Sequence, residues 1–170
     1  MIGLKRNTVS LVKYNPEWIE LFNKEKVLLK ETLGQDAIGI EHIGSTAIIG
    51  IMAKPVIDIA LGIDFKKVNE IKTVLENNNW IFRPKFGDIN KHIVFAKGND
   101  IERTHYLHLM QYGSKEWNEK IFFRDYLNNN EKEKIEYEKL KIEAMNKFND
   151  DRKNYTKEKT KCKNSNKTLR

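Results

Sequence analysis

One stretch of the sequence brings together residue types that could do phosphate chemistry. In Glu41 to Asp64, EHIGSTAIIGIMAKPVIDIALGID, a small polar turn, Gly44-Ser45-Thr46, precedes an apolar span holding one cation, Lys54, and one carboxylate, Asp58. Burying an isolated charge is expensive, so a lone acid in an apolar run needs a partner. The partner is either local, a neighbouring turn or Lys54, or a ligand. In the ligand reading a strand runs into Gly-Ser and then a helix, whose free backbone N–H groups attract phosphate. Gly allows close approach and Ser adds a hydroxyl donor. Twelve residues separate Ser45 from Asp58. Phosphate at the turn and a divalent cation at the carboxylate make a minimal nucleotide site. Mg²⁺ suits it, since that ion takes one or two carboxylates, phosphate oxygens and several waters.

Other groups could join. His42 lies two residues before Gly44, and His105 and His108 stand three apart in one β-rich run. In a straight strand they face opposite sides, so one of them reaches Asp58 unless a bulge intervenes. That histidine is a metal ligand, an acid/base group, or a structural histidine bonded to a carbonyl. His92 has no motif around it and reads as ordinary sheet or surface. Lys54 is placed to hold phosphate or steady the carboxylate. Arg103 offers a bidentate fork. Arg124 and Asp125, adjacent on a helix and about 100° apart, are not expected to pair, and Arg124 reads as a solvent-facing ion pair.

These residues need elements to hold them. Thr8–Lys13 reads as a short strand. Asn15-Pro16-Glu17 starts a helix whose apolar face runs from Trp18 to Leu33 and which Gly34 ends. Ala37–Ile43 is a strand leading into the Gly-Ser turn. Thr46–Met52 is a short helix that stops before Lys54-Pro55. Val56–Ile63 is a strand covered on both faces. Val68 to Leu75 marks a second amphipathic helix. Trp80–Arg83 and His92–Ala96 are strands joined by a loop over Phe86–Lys91, and a further strand spans Arg103–Gln111. Ser114 caps a helix, Asn128-Asn129-Asn130 breaks it, and a second helix carries Tyr137, Leu140, Ala144 and Phe148. Asn154–Lys161 adds a short helix. The order predicts an α/β (α+β) fold: a mixed sheet flanked by helices, with C-terminal helices after it.

The motifs GSTA, KPVID, RTHYLHL at 103–109 and FRDYL at 123–127, with Asp151-Arg152 and Tyr155-Thr156, resemble those of the GrpB family. The resemblance runs from about Val9 to Lys161. It implies the nucleotidyltransferase fold, whose pattern is a Gly-Ser or Gly-Gly pair, a spacer, Asp-x-Asp or Asp-x-Glu, and a further acid on a later strand. By that resemblance Gly44, Ser45, Thr46, Lys54 and Arg103 hold a nucleoside triphosphate. Asp58 and His108 carry metal and catalysis, with Mg²⁺ (or Mn²⁺) as cofactor and an unknown acceptor as second substrate. His108 is the histidine chosen because the family keeps one there; members often place a second where this chain has Tyr106. Ala60 occupies the position of the second carboxylate, and two-metal phosphoryl transfer needs several. The alternative is a non-catalytic module that binds a nucleotide or another phosphorylated ligand.

At 170 residues, 39% hydrophobic and 32% charged, the chain is long enough for one domain with a real core. That domain is expected over residues 1–161. The net charge of +7 belongs to the end: residues 152–170 hold eight Lys/Arg against one acid, and the rest carries 23 of each sign. Nucleic acid is therefore not expected on the neutral body, and residues 162–170 read as a disordered basic tail. No apolar run approaches the roughly 20 residues that span a bilayer. MIGLKRNTVS lacks the apolar core of a signal peptide, and the single cysteine, Cys162, forms no internal disulfide. Together these features predict a cytoplasmic protein.

Overall fold

The apolar run after Lys54-Pro55 becomes the central strand of the sheet, and the rest of the fold is arranged around it. The structure, a computed structural model, describes residues 2–5, 8, 10–99, 101–148 and 154–155. Six strands form one mixed sheet: β1 (Leu4–Lys5), β2 (Gly39–Ile43), β3 (Ile57–Ile63), β4 (Ile81–Asp88), β5 (His92–Gly98) and β6 (Glu102–Gln111). Their order is β2-β3-β6-β5-β4, with β1 paired to β6. β3 and β6 run parallel; the other pairs are antiparallel. Every residue of β3 except Asp58 is buried, as its continuous apolar pattern requires.

Two helices cover one face. These are α1 (Glu17–Leu33) and α2 (Val68–Asn77). Trp18, Phe22, Leu29, Ile71 and Leu75 pack there on Ile57, Ile59, Leu61, Leu107 and Leu109. At the start of α1, Asn15 Oδ1 accepts from the Glu17 N–H at 3.0 Å, with Pro16 rather than Asn15 at the N-cap position. The other face is covered in part by α3 (Lys115–Asn129) and α4 (Glu131–Lys147), which Ser114 and Asn130 precede. Gly39 and Gly62 are cross-strand partners, and a Cβ on either would lie within 3.0 Å of the Trp117 ring. Their bare backbones let α3 seat Trp117 against the sheet. No helix of the described residues is long and apolar enough to cross a membrane.

Four expectations about elements are corrected. Val12 makes an isolated bridge to Ala53 where a strand over Thr8–Lys13 was expected. The segment after Gly44 is a three-residue 3₁₀ turn, Ser45–Ala47, and no α-helix follows it. β4 runs on to Asp88 through residues expected in the loop, while β5 starts at His92 as predicted and continues to Gly98. The helix break falls at Asn130 alone, leaving Asn128 and Asn129 helical. The readings of residues 162–170, of Asp151-Arg152 and of Thr156–Lys161 lie outside the described residues.

Candidate functional site

Cross-strand partners in a sheet share a face. Asp58 stands opposite Ile43 on one side and Tyr106 on the other; Ala60 stands opposite Glu41 and His108; His108 stands opposite Val94. These residues therefore occupy the face that α3 and α4 cover only in part. A cavity of about 340 Å³ opens there. Gly44, Ser45, Thr46, Lys54, Asp58, Arg103 and His108, the residues singled out from the sequence, all line it.

Gly44 and Asp58 are in direct contact. Gly44 has φ +74°, and a Cβ on it would sit 2.9 Å from that of Asp58 and closer still to Oδ2. Only glycine meets both demands without strain. The other carboxylate oxygen, Oδ1, lies 3.3 Å from His108 Nε2. His108 Nδ1 lies 2.9 Å from His92 Nε2, with the two rings partly stacked at 5.1 Å between centroids. His92, read from the sequence as ordinary, is thus part of the site. Burial pushes its pKa down to about 3, and Lys120 and any charge on His108 act in the same direction. His92 is neutral at any physiological pH.

The register of β6 is regular from His105 to His108, so the two histidines face opposite sides; the bulge of the β5–β6 pair lies before them and acts on Arg103. Lys97 pairs with His105 and Gly98 pairs with Arg103, so Thr104 is an extra residue on β6. The shift turns Arg103 to the face of Tyr106 and His108. The residue is 4% exposed, and its guanidinium donates from Nη1 to the Asn99 carbonyl at 2.8 Å. Lys54 Nζ stands 3.9 Å from the centroid of the Tyr155 ring, which also lines the cavity. Ser45 Oγ meets the Tyr137 hydroxyl of α4 at 3.3 Å.

The remaining histidines lie elsewhere. His42 faces α1, stacked on Phe22 at 4.8 Å, with Nε2 3.0 Å from Thr46 Oγ1. Burial, offset in part by Asp58, lowers its pKa to about 4. His105 points to the α1 side, edge-on to Trp80, and burial depresses its pKa as well. Arg124 corrects two readings together. It is 17% exposed, and its Nε contacts Asp125 Oδ1 at 2.7 Å, the long side chain curling back to its neighbour. Its Nη1 donates to Glu41 Oε2 at 2.6 Å and to the His42 carbonyl at 2.9 Å, tying α3 to β2.

The donor set decides which metal arrangement the cavity could hold. Asp58 is the one carboxylate among the described lining residues. Ala60, where a second would stand, is fully buried among Ile43, Met110 and Trp117. Glu41, beside Ala60, is engaged by Arg124. Both ring nitrogens of His108 already have partners. These residues fit one oxygen-ligated cation shared between Asp58 and phosphate oxygens. They do not fit a two-cation centre.

Lys120 and Phe123 of α3, Phe86 of β4, and His92 also line the wall, and none of them was singled out as a site residue from the sequence. Phe123 and Tyr155 lie within the FRDYL and Tyr155-Thr156 motifs. Lys120 and His92 carried no signal, because their neighbours in the site are contributed by other strands.

The comparisons with known proteins agree over most of the chain. Residues 8–167 match the family described as GrpB protein. The chain is 40% identical over 163 residues to the glutamate-rich protein GrpB of Alkalihalophilus pseudofirmus, covering 94% of each. It is 33% identical over 135 residues to a UPF0157 protein of Halalkalibacterium halodurans, covering 79% of this chain and 68% of that one. The crystal structure of GrpB from Enterococcus faecalis superposes with a TM-score of 0.78 at 27% identity, covering 92% of this chain and 99% of that one.

Proposed function

The chain belongs to the GrpB family, and from that premise we propose that it binds a nucleoside triphosphate in the β3–β6 cavity and transfers the nucleotidyl group to an acceptor. The observation that carries this reading is the charge of the cavity wall. Lys54, Arg103 and Lys120 stand against a single carboxylate, Asp58, among the described lining residues. A cleft with an excess of one sign selects ligands of the other, and a triphosphate supplies several negative charges at once. Leu4, Val56, Phe86 and Phe123 add apolar and aromatic surface for the rest of the ligand.

The roles follow from position. Lys54 and Lys120 neutralise phosphate oxygens. Arg103, its Nη1 anchored to Asn99, presents a fixed charge. Gly44, bare of a side chain, lets the Asp58 carboxylate lie over its backbone at the cavity wall. Asp58 would share one Mg²⁺ or Mn²⁺ with the phosphates, and that ion would supply further charge neutralisation. In the transfer, the acceptor oxygen bonds to the α-phosphorus as the bond from that phosphorus to the bridging oxygen of pyrophosphate breaks. The acceptor's proton passes to solvent water and pyrophosphate leaves.

A second reading, binding without transfer, draws on Ala60, whose site is filled by apolar packing. Pyrophosphate release in the presence of each nucleoside triphosphate separates the two. Transfer predicts release that drops about a hundredfold or more in Asp58→Asn, as for loss of a preorganised charge partner. Tight binding with no release would establish the second reading. Release that survives Asp58→Asn would remove Asp58 from the chemistry.

A further inference from the structure

We propose that His92 and His108 form a two-imidazole clamp on the Asp58 carboxylate, so that both histidines are positioning residues and the ligand meets Asp58 rather than His108. The cavity reading above supplies the ligand; the clamp itself is argued from hydrogen-bond bookkeeping. A carboxylate only accepts, so the contact between Asp58 Oδ1 and His108 Nε2, 3.3 Å apart, requires a proton on Nε2. A neutral His108 then has a bare Nδ1. That nitrogen lies 2.9 Å from His92 Nε2, which must donate to it. His92 is therefore the Nε2–H tautomer, and the chain reads His92 Nε2–H to His108 Nδ1, and His108 Nε2–H to Asp58 Oδ1.

The wiring has two consequences. First, His108 has no lone pair directed at the cavity, so it neither ligates a cation nor takes a proton without breaking the chain. Second, Asp58 is fixed from two sides. Oδ1 is held by His108, and Oδ2 lies over Gly44, which has no side chain to displace it. A carboxylate held by an oriented donor keeps its direction, as hydrogen-bonded ligating carboxylates do in metal sites. His92 does for His108 what His108 does for Asp58. It comes from β5, and across the sheet it pairs with Met110 of β6, two positions from His108 on the same face.

The test reads the imidazole nitrogens of the full chain by ¹⁵N NMR in alkaline buffer, with no ligand added. His108 is expected to show a protonated Nε2 and an unprotonated, hydrogen-bonded Nδ1. His92→Gln keeps an N–H donor at the Nε2 position and is expected to leave the His108 signals in place. His92→Leu removes the donor and is expected to move the Nδ1 signal toward that of a free lone pair, or to populate the other tautomer. A His108 protonated on Nδ1 in the unaltered chain overturns the proposal. So does a His108 spectrum indifferent to His92→Leu. Because no nucleotide is involved, a failure here leaves the nucleotide reading standing. A chain that binds no nucleotide but shows this spectrum sinks only that reading.

Discussion

At the scale of single residues, Asp58 was legible because its neighbours are apolar: one charge in a strand with no other exposed position demands an explanation. Gly44, Ser45 and Lys54 were legible by their spacing around it. His92 was not, because a single sequence does not reveal strand register, and its contact with His108 exists only once β5 lies beside β6. Ala60 stood out as a missing acid, and the packing accounts for it. Its methyl is enclosed by Ile43, Met110 and Trp117, while the nearby carboxylate, Glu41, is taken by Arg124. Ala60→Asp is therefore expected to destabilise the fold by about 3–5 kcal/mol, the scale for an uncompensated buried charge. Denaturant unfolding checks this. A neutral result, with gain of metal-dependent turnover, would mean that the position still accepts the missing ligand.

At the scale of elements, strand and helix placement followed periodicity closely for α1, β3 and the C-terminal hairpin, where apolar faces are long. It failed between Gly44 and Pro55, and the reason is tertiary. The backbone groups that a helix would pair internally are paired with side chains from α3 and α4. Asn128 donates to the Ala47 carbonyl at 3.0 Å and accepts from the Ile49 N–H at 2.9 Å. Glu138 accepts from the Met52 N–H, and the buried Lys141 donates to the Met52 carbonyl. Ile48 and Ile51 pack on Leu127 and Tyr137 beneath them. The helical hairpin thus holds the loop that carries the Gly-Ser turn, a role invisible in a run of three asparagines. Asn128→Ala is expected to cost about 1 kcal/mol, since it removes two hydrogen bonds to backbone groups that water reaches in part. The Ile49 amide should exchange with solvent markedly faster. Unchanged exchange at Ile49 would show that the loop does not depend on α3.

At the scale of the whole molecule, one sheet carries two differently built faces. The α1–α2 face is a continuous apolar core, and the opposite face is part core, part cavity. The mixed sheet with C-terminal helices was expected from element order, and the match to the Enterococcus faecalis GrpB structure agrees with it. The excess of cations among the described lining residues was not foreseen, because Lys120 sits in a helix whose sequence reads as surface. Stability should also depend on pH through the buried neutral histidines. His42 and His92 bind a proton more weakly when folded, so stability is level above about pH 6.5 and falls as pH drops toward the folded values; His42 alone accounts for about 3 kcal/mol by pH 4. Ligand measurements therefore belong above that window, at about pH 7.5. The most direct test of the account is the melting temperature of the chain at that pH against each of the four common nucleoside triphosphates, with Mg²⁺ and with EDTA. A nucleotide at about 100 times its dissociation constant adds about 2.7 kcal/mol, which raises the melting temperature by roughly 5–10 °C. The account predicts such a rise for at least one nucleotide, and its loss when Lys54 and Lys120 are both replaced by alanine. A melting temperature that no nucleotide moves, under either condition, would contradict it.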